Sequence, residues 1–177
     1  MLAVMFLLQA TQHDALEQWK QLLEDPALNN LPYKIETNER GQLILSPVSK
    51  RHSFLQSRIM MMLNDLLEAG YAMPEVSILT NAGVRAADVA WASIEHYDSE
   101  PEELFTKAPA ICVEVWSPSN TFEEFEQKKR LYFEAGALEV WTCSRDGQMR
   151  FFVPTGELEV SGLVAGFPGV IGQSSSS

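Results

Sequence analysis

Basic residues are scarce in this chain. Thirteen lysines and arginines stand against 24 aspartates and glutamates, for a formal net charge of −11. That balance disfavours broad, sequence-blind attraction to nucleic acid, although it leaves room for a local basic groove. Cysteine is scarcer still: Cys112 and Cys143 are the only two. With neither a CxxC pair nor Cys/His ligand spacing, they argue against a zinc site and for buried, reduced thiols. No apolar run approaches the roughly 20 residues of a membrane-spanning helix. The N-terminal "MLAVMFLLQA" is apolar but short and without a basic leader, so it is expected to pack against the domain, with the protein cytoplasmic and without a membrane partner. GxGxxG after a strand, the P-loop, HExxH and GxSxG are all missing. Nucleotide-dependent dehydrogenases, P-loop enzymes, zincins and serine hydrolases therefore find no support.

What is present is the composition of a globular domain, 46% hydrophobic and 21% charged over 177 residues, with chain enough for one substantial core. Residues 31–172 are expected to form that domain, residues 1–30 an apolar segment and helix ("HDALEQWKQLLED") packed on it, and 173–177 a polar tail. "YKIETNERGQLILSP" reads as two strands about a turn at Asn38 to Gly41. "KRHSFLQSRIMMMLNDLLEA" reads as the main core helix, with Leu55, Ile59, Met62, Leu63 and Leu66 at helical spacing and Gly70 as its stop. "EVSILT" and "GVRAADVAWAS" read as strands, and "HYDSEPEELFTKAP" as a solvated acidic loop. Then come a strand at 110–116, a helix from Thr121 to a stop at Gly136, and the strands "LEVWTCS" and "QMRFFV" about an Asp146-Gly147 turn. Strand, helix, strand over 110–143 predicts a right-handed parallel crossover. The expected fold is α/β (α+β), a mixed β-sheet flanked by helices.

"ICVEVWSPS" raises the chemical question. Its apolar run predicts a strand covered on both faces, yet Glu114 sits in the middle. "RAADVAWAS" repeats the anomaly with Asp88, placed with Ala86 and Ala90 on its own face by simple alternation. If the strands are neighbours and the acids share a side, both stay ionised only with a cation between them or a proton on one. A hard divalent ion such as Mg²⁺ suits oxygen ligands of this kind. The competing structural reading puts Asp88 on a solvated edge and pairs Glu114 with an arginine such as Arg85.

Three further residues are candidates. Lys128 and Lys129 fall on either border of the helix face defined by Phe122, Phe125, Tyr132 and Phe133, and periodicity does not choose between them. A solvated Lys128 would pair with Glu124. His52 shares the core helix stripe with Leu55, Ile59 and Leu66, which fits simple packing or a ligand role.

The order "AADVAW", "VEVWSPS", "KKRLYFEAG", "LEVW", together with "GQLILSPVSKRHSFLQSRI", resembles the Uma-type family of bacterial restriction-endonuclease-like proteins, within the PD-(D/E)XK nuclease superfamily. The resemblance runs over about residues 31 to 153. It implies a restriction-endonuclease-like fold, with Asp88 and Glu114 as metal-binding acids and Mg²⁺ or Mn²⁺ as cofactor. Trp116 stands where the motif lysine is expected, two residues after the Glu. In this family that lysine lies on the following helix, four residues before the Tyr, which implies Lys128 rather than Lys129. The resemblance likewise implies accessory roles for Glu36 and His52. Ala87-Asp88 replaces the family's common Pro-Asp. The implied activity is metal-dependent hydrolysis of DNA phosphodiesters. The alternatives are a nuclease-fold binding or assembly protein without activity, forming a homodimer, and a phosphatase or small-nucleotide hydrolase using the same acids.

Overall fold

The computed structural model describes residues 12–28, 31–118 and 120–172. Its elements run α1 (Gln12–Glu24), β1 (Tyr33–Thr37), β2 (Leu43–Pro47), α2 (Lys50–Leu66), β3 (Gly70–Thr80), β4 (Gly83–Ser93), α3 (Ile94–Ser99), β5 (Ile111–Val115), α4 (Phe122–Glu134), β6 (Glu139–Cys143), β7 (Met149–Val153) and β8 (Gly156–Leu158). β3 to β8 make one sheet in chain order, while β1 and β2 form a separate hairpin. β5 and β6 are parallel across α4, and the other neighbours in the sheet are antiparallel. This is the mixed sheet flanked by helices that the sequence predicts.

The apolar run of β5 follows from covering both faces. Ile111, Val113 and Val115 join the core beneath α2, built on Leu55, Ile59, Leu63, Trp141 and Phe151. Cys112 points the other way, into the core beneath α4 with Phe125, Tyr132, Val140 and Phe152. Leu55, Ile59 and Leu63 are fully buried, each contributing about 1.5–3 kcal/mol through the area removed from water. Both cysteines are free and buried, and burial pushes the Cys143 thiol up to about 12, which keeps it protonated and inert. A capping box between Thr121 and Glu124 starts α4, so Glu124 is engaged there instead of with Lys128. Gly136, at φ +110°, ends the segment.

Several local expectations are corrected. Phe122, at the first helical position, is 61% exposed; Phe125, Leu131 and Tyr132 form the covered face of α4. Leu66 is also exposed, because the buried stripe of α2 ends at Leu63. Gly70 opens β3 and does not stop α2; the left-handed residue in that connection is Ala69, at φ +57°. Glycine is needed at 70 because a Cβ there would collide with the Trp91 ring and the Ala92 carbonyl. The acidic loop is not wholly solvated. It contains α3, and Leu104 and Phe105 are buried, with Phe105 exchanging backbone hydrogen bonds with Ser77 and Leu79 along the outer edge of β3. That shields an otherwise open strand edge.

The expected packing of residues 1–11 and the polar tail at 173–177 lie outside the described residues. Within α1, Trp19 is buried against Leu79, Val84 and Leu104. Among the described residues, no helix is long and apolar enough to cross a membrane.

Candidate active site

The site lies in a fork between two strands. β4 pairs with β5 only at Val89–Val113, Ala90–Cys112 and Trp91–Ile111; the next pair in that register would be Asp88 and Glu114. Instead the Asp88 carboxylate enters the gap, and its Oδ2 accepts the Val115 N–H at 2.7 Å. On the other edge of β4 the ladder to β3 skips the step between Glu75 and Asp88. The Gln56 amide of α2 fills that gap, donating to the Asp88 carbonyl and to Glu75 Oε1, both at 2.7 Å. Glu75 sits at φ +50°, a left-handed conformation that costs a non-glycine residue about 1–3 kcal/mol. Strand alternation breaks at this step. Ala87, and not Ala86 as simple alternation predicts, joins Ala90 and Ala92 in the core under α4.

Where β5 has departed, the free edge of β4 is met by side chains of β1. Thr37 Oγ1 accepts the Val84 N–H at 2.8 Å and Glu36 Oε1 the Ala86 N–H at 2.9 Å. These bonds satisfy amides that lack a strand partner, and they bring Lys34, two residues before Glu36, over the fork.

Lys34 Nζ stands 2.6 Å from Asp88 Oδ1 and 3.6 Å from Glu114 Oε2. Lys128 Nζ lies 3.1 Å from the same Glu114 oxygen and 2.8 Å from Glu36 Oε1. The Tyr132 hydroxyl donates to Glu114 Oε1 at 2.7 Å, and His52 Nε2 approaches Asp88 Oδ1 at 3.4 Å. The two strand acids thus converge on a single cation, the Lys34 ammonium. Arg85, the counter-ion of the competing reading, pairs with neither acid, and Asp88 is buried instead of lying on a solvated edge.

Burial would raise the Asp88 carboxyl, but the Lys34 ammonium and the His52 contact outweigh it and hold Asp88 well below the usual carboxylate range. Burial raises Glu114, with Lys128 and Lys34 offsetting only part of the effect and the Asp88 charge adding to it. Geometry contributes to the difference: the Lys34 ammonium lies 2.6 Å from Asp88 but 3.6 Å from Glu114, and His52 also bears on Asp88. Asp88 keeps its charge, and Glu114 is where a proton would first go. For Glu36, burial is outweighed by Lys128 and Lys34, and its carboxyl is lowered. Burial lowers Lys34, but Asp88, Glu114 and Glu36 together raise it well above its ordinary value.

All five residues singled out by the sequence, Asp88, Glu114, Lys128, Glu36 and His52, line one cavity of about 190 Å³. Lys129 lies outside the cluster, pairing with Glu126 at 2.7 Å and sitting over the Phe152 ring. Sequence reasoning missed Lys34, Glu75, Gln56 and the polar role of Tyr132. Lys34 and Glu36 share a strand face by alternation, a signal that ordinarily marks a solvated face. Glu75 carried no signal, because its backbone conformation and the Gln56 wedge arise from tertiary packing.

The donor chemistry fits a divalent cation. Two carboxylate oxygens from separate strands already face one positive centre, and hard oxygen donors suit Mg²⁺ or Mn²⁺. For a metal ion to take that position, the Lys34 ammonium must withdraw. A second donor set adjoins the first: one ligand atom from each of His52, Glu75 and Asp88 lies within 4.8 Å of the others. The His52 Nε2 atom is buried without a hydrogen-bond partner.

A mixed sheet whose central strands part around two converging acids, with a lysine supplied by the crossover helix, defines a restriction-endonuclease-like fold. The chain belongs to the Uma2 family, described as "putative restriction endonuclease", whose sequence profile matches residues 16–162. It is also similar in structure to a "putative nuclease belonging to DUF820" from Anabaena variabilis, at 19% identity and a TM-score of 0.61, over 70% of this chain and 73% of that one. No curated protein matches the chain.

Proposed function

We propose that the protein is a metal-dependent endonuclease that hydrolyses DNA phosphodiester bonds. The observation that carries this reading is the convergence of Asp88 and Glu114, from neighbouring strands, on one cation inside a cavity that Lys128 also enters. Asp88 and Glu114 would hold Mg²⁺ or Mn²⁺, which when bound lowers the pKa of water and offsets charge on a phosphoryl group. Lys128, held between Glu114 and Glu36, orients the attacking water and faces the developing negative charge. Tyr132 fixes the Glu114 headgroup through Oε1 and leaves Oε2 toward the cavity cations. Glu36 positions Lys128, and His52 supports Asp88 from the α2 side.

The test is plasmid incubated with pure protein and Mg²⁺ or Mn²⁺ beside a Glu114→Gln variant. Cleavage by the wild type alone is the expected result. Equal cleavage by both, or none by either across supercoiled, linear and single-stranded substrates, removes the reading.

One observation favours a second reading, a binding or assembly module without activity that forms a homodimer. Every carboxylate oxygen of Asp88 and Glu114 already meets a protein donor. On that reading, calorimetry gives no heat with divalent ions and sedimentation gives a stable dimer at low concentration.

A further inference from the structure

Arg85 is the cation beside this cavity that the carboxylate network leaves unused. It is only 7% exposed, it lines the cavity with Lys128, Gln127 and Asn120, and its Nε is buried without a hydrogen-bond partner. Lys34 and Lys128 each contact two carboxylates. Among the described residues, no acid pairs with Arg85. It cannot shed its charge as a lysine can, and a buried, unpaired charge is costly in a folded protein. Its orientation follows from strand register. Arg85 lies opposite Ile78 in the β3–β4 ladder, and Ile78 and Ala87 belong to the core under α4, so the guanidinium projects on the side from which Lys128 enters.

We propose that Arg85 is a phosphate-binding subsite of the cavity, its guanidinium taking two non-bridging oxygens of a phosphate group. A planar fork of N–H donors matches that geometry. The subsite would also explain how so acidic a chain engages a polyanion: the attraction is concentrated in one desolvated arginine instead of being spread over a basic surface. The assignment to nucleic acid rests on the nuclease reading, whereas the phosphate chemistry stands without it.

The experiment measures binding of a fluorescent DNA duplex and of inorganic phosphate, without divalent ions, to wild type, Arg85→Met and Arg85→Lys. Arg85→Met should weaken duplex and phosphate binding about tenfold or more and reduce the magnitude of the duplex salt slope by about 1. Arg85→Lys should keep part of the affinity. Arg85→Met should also melt no lower than wild type, since it removes an unpaired buried charge; a purely structural arginine would give the opposite. Phosphate binding that depends on Arg85, with no duplex binding, upholds the subsite and counts against the nuclease reading. Wild type binding neither probe, Arg85→Met binding both as wild type does, or Arg85→Met melting below wild type overturns it.

Discussion

Replacing Lys34 by methionine keeps most of the stem and deletes the ammonium on which both strand acids converge. The side chains of Lys34 and Asp88 are 7% and 2% exposed, so the change leaves Asp88 without its closest cation in a site that water reaches poorly. Removing one partner of a buried ion pair costs about 3–5 kcal/mol. At roughly 2–4 °C per kcal/mol for a chain of this size, the metal-free variant should melt about 6–20 °C below wild type. A divalent ion would then occupy the vacated position and return part of that penalty as binding energy. Recovery of even half, about 1.5 kcal/mol, tightens Mn²⁺ binding roughly tenfold. Isothermal calorimetry with Mn²⁺ and thermal melting with and without the ion read both effects. An unchanged melting temperature would show that the ammonium does not hold the fork together. A lowered one with no gain in Mn²⁺ affinity would show that the ammonium and the ion do not compete for one place, and the metal assignment of Asp88 and Glu114 would lose its footing.

Lys128→Met should lower plasmid cleavage about 100-fold or more while Lys129→Met leaves it near wild type, because Lys128 reaches Glu114 and Lys129 pairs with Glu126 instead; equal losses in a gel assay would contradict this. Glu139→Ala should destabilise by at least about 3 kcal/mol, since it strands the Trp141 indole N–H, the Ser161 hydroxyl and the Gly162 amide, yet leave the Mn²⁺ isotherm unchanged. In the metal-free protein the His52 imidazole should titrate above about 6.5 by NMR: burial lowers it, but the Asp88 contact raises it further. A raised folded value means that this contribution to stability is full below about pH 6.5 and fades as pH rises through the folded pKa. Asp88→Asn should bring the His52 titration down, and an unmoved titration would break the assignment.

Much of the fold was legible because its signals are local. The apolar run of β5, the start of α4 at Thr121, and the single strand–helix–strand passage each depend on a few neighbouring residues, and each recurs in the structure. The site was legible only in part, for a physical reason. An acid in an apolar strand announces itself by contrast, as Asp88 and Glu114 do. A lysine in an alternating strand, such as Lys34 in "YKIET", looks like ordinary solvated polarity until the hairpin is docked. That docking depends on Glu36 and Thr37 meeting amides 50 and 47 residues away. The break at Glu75 is likewise invisible beforehand, because it needs the Gln56 amide of α2 to supply what the strand ladder omits.

The contrast rule also selects an acid that belongs to no site, and comparing the two cases separates support from chemistry. Glu139 is as deeply buried in β6 as Asp88 is in β4. Its oxygens accept from the Trp141 indole, the Ser161 hydroxyl and the Gly162 and Leu163 amides, at 2.7 to 2.9 Å. Those donors are neutral and fixed to packed backbone or ring, so nothing can replace them without unfolding the 161–164 turn. At the fork, the counter-charges of Asp88 and Glu114 are ammonium groups at the ends of four-carbon stems, which swing away by rotamer changes alone. An acid whose donors cannot leave serves the fold, whereas one whose cations can leave is open to exchange for another cation. In this chain that difference lies in the partners, and neither strand pattern nor burial reveals it.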